Sequence, residues 1–549
     1  LIRDLGRDTK PVFLSEYGIG SLMDVIGETR KFEQAGCRPD LHDCAFVRGL
    51  AARLETDWKR WGFEGTYPFA EDMLRDSQRL HMRQRRMNFD LVRSNPRLCG
   101  YNLTGMLDHG LTGEGLWTYW RELKPLAADT LRDGWAPLRW CLFVTPSHGY
   151  ANRPVELEAV LANEDALAPG DYPVTFRVTG ARGTVWERKA VVTVPTPPAG
   201  ERGPLAIPVL KTKAQLKVPA GEYVFAARLE RGGAPAGDRK EFTISDFGLP
   251  FAGRMAVTGW GLEKRVAGWL KKQGVAVRPF TAGAARTPEV ILVGKPGKSR
   301  RDDWCGLVRR VARGGVAVFL EPDAFQREGD ATYWLPLARK GERVKVWDWL
   351  YHKECVAKRH PIFAGLQAGG ILDWDYYGQL VSHEMFAGQD DPDEMVCAAF
   401  YPCMLEKHYG AGAMLAAYRL GAGQFILNTL NVCGQLGDNP AADRLLLNLV
   451  SHARGKLPKR LAPAPADLDD RLEREIYPPA GRTDFVKTWR VTAATPVEPP
   501  ARAIEPPAAD VAWSEPKTFA NGLVDYFHLH GPIPGLVYAE ARIDVPRAM

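Results

Sequence analysis

The run Pro11-Val-Phe-Leu-Ser-Glu-Tyr-Gly18 sets a carboxylate at the end of a short apolar stretch, with Gly18 and Gly20 close behind it. A carboxylate at the carboxyl end of a buried strand is held rigidly, and glycines allow the chain a tight exit. Such a group suits nucleophilic attack on an anomeric carbon. Retaining glycoside hydrolysis uses two carboxyl groups about 5–5.5 Å apart; one attacks, the other protonates the leaving oxygen and then activates water. On spacing alone, Glu16 reads equally as that nucleophile or as a strand-end acid in a surface ion pair. Tyr17 either hydrogen-bonds the carboxylate or packs inward. Asp108 either contacts a substrate or caps its loop, and Glu114, His109 and Trp117 share that loop.

The elements around these residues alternate strand and helix. Val12–Leu14 reads as a strand. A helix is predicted over Phe69–Arg93, with Met73, Leu74, Leu80, Met87 and Leu91 on one face and Asn95-Pro96 ending it. Cys99–Leu107 reads as a second strand and Leu123–Leu138 as helical. This order suits a parallel α/β fold.

The segment resembles the nucleophile region of glycoside hydrolase family 2, the β-galactosidase, β-glucuronidase and β-mannosidase group. There a Glu followed by Tyr or Phe and Gly ends barrel strand seven. Gly100-Tyr-Asn-Leu-Thr-Gly-Met-Leu-Asp108 falls at the place of strand eight, and Gly113-Glu-Gly-Leu-Trp-Thr-Tyr-Trp-Arg-Glu-Leu-Lys-Pro125 resembles the segment leading into the last barrel helix. The resemblance covers residues 1–140. It implies the carboxyl-terminal part of a (β/α)8 barrel, Glu16 as nucleophile, and Tyr17, Asp108 and Glu114 as substrate-binding residues. Thr104 and Met106 stand near the place of the family's strand-eight Trp. The family's acid/base Glu belongs to strand four, which would precede residue 1, so this stretch is expected to be inactive by itself. The competing reading is a degenerate barrel in a protein that binds carbohydrate or scaffolds an assembly.

Beyond the barrel part, period-two patterns such as Val155, Leu157, Ala159 and Leu161 predict an immunoglobulin-like β-sandwich over 141–248. Alternating strands and helices over 249–457 predict a flavodoxin-like sheet, which resembles the glutamine-amidotransferase-like accessory domain of some β-galactosidases and implies a route to homo-oligomers. Cys433 lacks the Gly-x-Cys-x-Gly elbow of an active amidotransferase, and His360 reads as a turn residue. Residues 458–510 read as a Pro-rich linker, and 511–549 as the opening of another sandwich in which Tyr526, Phe527 and Tyr538 pack or stack on sugars.

The 549 residues suffice for three or four domains. A net charge of +6, spread over 72 basic and 66 acidic residues, does not suggest nucleic acid as a partner. No apolar run is long enough to span a membrane. The nine cysteines, an odd number without a Cys-x-x-Cys pair, suggest neither a disulfide framework nor a metal site. No cofactor is expected; a carbohydrate is the expected partner. The sequence leaves the compartment open.

Overall fold

The computed structural model describes residues 2–6, 10, 12–109, 113–246, 255–283, 287–345, 354–404, 408–478, 489–493, 510–516 and 537–541. The chain forms two compact units, Leu1–Leu468 and Asp469–Met549. It is a multidomain mixture of α/β and β-rich parts built on large sheets.

Strands β1 (Val12–Tyr17) and β2 (Leu98–Leu103) pair in parallel. Parallel neighbours need a long crossover, supplied here by α1 (Val25–Gln34), α2 (His42–Arg60) and α3 (Ala70–Arg93). The pairing slips twice, first between Val12 and Phe13 and again after Leu14: Leu14 faces Tyr101 and Tyr17 faces Leu103, leaving β1 one residue longer than its partner across Ser15 and Glu16. Such a bulge re-aims side chains. Tyr17 joins Val92 and Leu98 in an apolar cluster, while Glu16 points to solvent.

Helix α3 buries Met73, Leu74, Leu80, Met82, Phe89 and Val92; Met87, predicted on the inner face, is exposed. The predicted strand over Cys99–Leu107 stops at Leu103, because Gly105 turns the chain at φ +73°. Of the predicted helical stretch Leu123–Leu138 only α4 (Ala127–Gly134) is helical. Lys124 is drawn inward before it, and Leu138 already opens the next strand.

Eight strands follow: β3 (Leu138–Thr145), β4 (His148–Tyr150), β5 (Pro154–Asn163), β6 (Gly170–Gly180), β7 (Gly183–Val194), β8 (Ala206–Gln215), β9 (Gly221–Leu229) and β10 (Arg239–Ser245). They form one sheet in the order β4-β10-β9-β6-β7 and another in the order β3-β5-β8. A single core joins the two: Trp140, Leu157 and Leu161 from the smaller sheet meet Phe176, Phe225 and Leu229 from the larger. The Trp140 and Phe176 rings meet edge to face at 5.5 Å. On the same strand Arg139 is fully buried and paired with Asp90 of α3 and Asp133 of α4.

The third part begins with β11 (Met255–Trp260), α5 (Lys264–Lys272), β12 (Val275–Pro279), β13 (Val290–Val293), α6 (Arg301–Ala312) and β14 (Val316–Phe319). It continues through β15 (Glu342–Lys345), β16 (Glu354–Ala357), β17 (Gly370–Ile371), α7 (Trp374–Tyr377), β18 (Glu384–Ala387), β19 (Glu394–Met404), β20 (His408–Leu420), β21 (Gly423–Asn428), α8 (Val432–Gln435) and α9 (Pro440–Gly455). Strands β12-β11-β13-β14-β21 run parallel in that spatial order. Every residue of β13 and β14 is buried, as expected for strands covered on both faces. Beyond β21 the sheet turns antiparallel through β20, β19, β16 and β17. This extension packs on α2, where the Trp58 and Phe400 rings lie 5.3 Å apart.

In the second unit, β22 (Arg490–Thr492) pairs antiparallel with β23 (Trp513–Ser514) and β24 (Ala539–Glu540). Strand β22 arises within the stretch expected as linker, whereas Tyr526 and Phe527 lie outside the described residues.

Trp140→Ala is expected to lower the stability of the two-sheet core by about 3–5 kcal/mol. Urea unfolding followed by near-UV circular dichroism measures the change.

Candidate functional site

Because β1 and β2 are parallel, the loops that follow them leave from the same end of the pair, beside Glu16. Tyr17 O accepts from Thr104 N at 3.1 Å, and Ser21 N donates to Gly113 O at 2.9 Å. These bonds tie the two loops together.

Lys124 locks them. Its side chain is fully buried, as is that of Asp108. Nζ donates to Asp108 Oδ1 at 2.8 Å, Ser21 Oγ at 3.0 Å and Gly113 O at 2.7 Å. Three acceptors match the three N–H bonds of an ammonium group. Asp108 Oδ1 also accepts from Gly115 N at 2.8 Å. A Cβ on Gly115 would lie 2.2 Å from Asp108 N, so only glycine lets the backbone close on the carboxylate. Burial pushes Asp108 up to about 6 against the pull of Lys124, and lowers Lys124. Asp108 thus anchors the loops from inside and does not reach the solvent where a substrate would bind.

The remaining predicted residues separate. Glu16 is exposed at the bulge. Tyr17 lies on the other face; burial raises its hydroxyl, which has no hydrogen-bond partner among the described residues, so it packs rather than bonding Glu16. Glu114 is nearly buried, and its carboxylate lies 3.5 Å from the exposed His109. Trp117 is half-buried and its backbone joins the Asp108 loop.

Two groups escaped the sequence reading. Arg85 of α3 reaches under the loops: Nη2 donates to Glu114 O at 2.8 Å and Nε to His81 Nε2 at 2.6 Å. Burial lowers its guanidinium to about 10. Glu28 of α1 is buried, and burial with the neighbouring Asp108 charge pushes it up to about 8. Its Oε1 accepts from Tyr119 N at 3.3 Å, while Oε2 has no partner among the described residues. The only sequence signal for either was a charged residue on the apolar face of a helix.

One group of metal-ligating side chains occurs among the described residues: His360, Glu394 and His452. His360 Nδ1 accepts from Ile362 N at 3.2 Å, so Nε2 carries the proton and meets Glu394 Oε1 at 3.0 Å. That nitrogen has no lone pair for a metal ion. Burial lowers both imidazoles, and Lys456 adds positive charge beside them. The group fits a pair of neutral histidines better than a cation site. His360 also caps a turn, as its sequence context predicts.

No family model and no curated protein matches the chain. Among solved structures it is similar in part to an alkylpurine DNA glycosylase of Pseudomonas fluorescens, at 15% identity over 22% of this chain and 32% of that one, with a TM-score of 0.15. A cycloisomaltooligosaccharide glucanotransferase of Paenibacillus sp. matches at 12% identity over 32% and 27%, with a TM-score of 0.16. A glycosyl hydrolase family 2 member of Bacteroides cellulosilyticus matches at 17% identity over 33% and 26%, with a TM-score of 0.14. The chain thus spans about a third or less of each of these three solved chains. Two of these three neighbours are carbohydrate-active enzymes. At such TM-scores the functional reading rests on the site itself.

Two outcomes are expected. Lys124→Met leaves the Asp108 charge buried and costs about 3–5 kcal/mol, part of which Asp108→Leu restores in the double variant; urea midpoints measure both. Glu28 keeps its proton in the fold up to about 8 but releases it near 4.5 when unfolded, so its contribution to stability falls as pH rises between those values. Glu28→Gln should remove that slope, and the difference between the two stability–pH profiles isolates it.

Proposed function

We propose that residues 1–140 are the carboxyl-terminal part of a (β/α)8 glycosidase barrel that hydrolyses a β-linked glycoside with retention. Glu16 is the nucleophile. Its carboxylate attacks the anomeric carbon as the leaving oxygen takes a proton from an acid/base carboxyl, which the family resemblance places on an earlier strand. Water, deprotonated by that same group, then cleaves the glycosyl ester and regenerates Glu16. Lys124 and Asp108 are positioning residues, and Glu114 and His109 rim the site. The sheet over 249–457 is read as a glutamine-amidotransferase-like accessory domain and a surface for self-association.

The observation that carries this reading is the place of Glu16: exposed, at the carboxyl end of a parallel strand, on a pair with one face uncovered. Phe13 is 56% exposed. Parallel sheets are normally covered on both faces, so such a pair suits a larger barrel. The non-catalytic alternative draws on Thr104 and Met106, which leave the end of β2 without an aromatic sugar floor.

The test is a 2-deoxy-2-fluoro glycoside with a dinitrophenyl leaving group, which needs no general acid to form the ester. On the full-length protein a mass-spectrometric adduct is expected on Glu16, and none in Glu16→Gln. An adduct on another carboxylate, or turnover without any adduct, would reject the assignment; sugar binding without either supports the non-catalytic alternative.

A further inference from the structure

The parallel part of the large sheet has a crevice at its carboxyl edge, with a volume of about 650 Å³. The strand order reverses at β11: the chain moves outward to β12, then returns to the other side of β11 as β13. Open α/β sheets bind ligands outside the carboxyl ends of their strands at such a switch point. The crevice walls come from the segments just past four of these strands: Glu263 after β11, Lys295 after β13, Glu321 and Asp323 after β14, and Asn431 after β21.

The charges select the ligand. Lys295 Nζ lies 2.9 Å from Glu321 and 3.2 Å from Asp323, and Arg343 Nη1 lies 2.6 Å from Asp323. Arg265, the other cation of the lining, donates to Leu436 O and lies 3.9 Å from Asp438, so each cation already has a partner and the attraction for a phosphate or carboxylate ligand is weakened. Glu263 stands as the N-cap of α5, where it opposes an anion at that helix end. A cationic ligand would have to compete with Lys295 and Arg343 for the same acids. What remains is a neutral ligand rich in hydroxyl groups, for which paired carboxylates accept and Lys295 donates hydrogen bonds. One wall is aromatic: Trp374, 37% exposed, with its ring 5.8 Å from that of His383. An indole face of this kind packs against the C–H face of a sugar ring.

We propose that this crevice is a binding site for a neutral saccharide, with Trp374 as the platform and the Lys295–Glu321–Asp323 network as the hydroxyl-binding edge. It binds without chemistry. Cys433 lines the crevice, but burial and the neighbouring Glu321 raise its thiol, which stays protonated and non-nucleophilic. The site stands apart from the Glu16 reading, and each can fail without the other.

Calorimetric titration of the full chain with lactose, cellobiose and, separately, inorganic phosphate tests the proposal. At least one disaccharide is expected to bind and phosphate is not. Trp374→Ala, a change at a partly exposed position that spares the core, should weaken binding by about tenfold or more. Trp374→Phe should restore part of the affinity, and Phe69→Ala, a change at an exposed aromatic outside the crevice, should leave it unchanged. Binding of phosphate alone, no binding of either disaccharide, or affinity unchanged in Trp374→Ala would each overturn it.

Discussion

The candidate site at Glu16 depends on one buried charge. An ammonium group taken out of water is tolerable only when paired and fully hydrogen-bonded, and Lys124 meets that condition only if Asp108, Ser21 and Gly113 converge on it. These partners come from the loop after β1 and the loop after β2. Satisfying the lysine therefore fixes both loops, and with them the end of the strand pair where Glu16 emerges.

The same demand recurs where the first part meets the two-sheet part. Arg139 is fully buried at the start of β3 and takes its counter-charges from Asp90 and Asp133. Helices α3 and α4 are thus tied to the first strand of the neighbouring sheets. On the other side, Ser77 of α3 donates to Glu354 of β16 at 2.6 Å, and Tyr409 of β20 donates to Asp57 of α2 at 2.8 Å. Helix α3, which carries Arg85 beneath the loops, is held from both sides by polar contacts that only the correct docking satisfies.

The two candidate sites use carboxylates in opposite ways. Around Glu16 the acids are sorted by burial: Asp108 is paired inside, Glu28 is kept protonated, and Glu16 alone faces solvent on its strand. In the crevice of the large sheet the acids are shared among Lys295 and Arg343.

Much of the fold was legible in the sequence, because hydrophobic period records which face a segment buries. Val12–Leu14 reads as a strand and lies within β1, and the period-two run of residues 155–161 lies within β5. Helices α1 and α2 went unread, although Val47, Leu50, Leu54 and Trp58 recur at helical spacing. Glu16 could be singled out because its strand, its glycines and its motif are all local. The roles of the other residues could not be read. Asp108 and Lys124 are 16 positions apart, and nothing in one dimension says that both are buried and joined. Whether Tyr17 turns inward depends on a bulge set by its pairing with β2, and the protonation of Glu28 on what covers it. The sequence by itself determined which runs carry the period of a strand or a helix and where a carboxylate ends a strand. Only the tertiary structure decided which charges lost their water, because desolvation depends on neighbours brought together by folding.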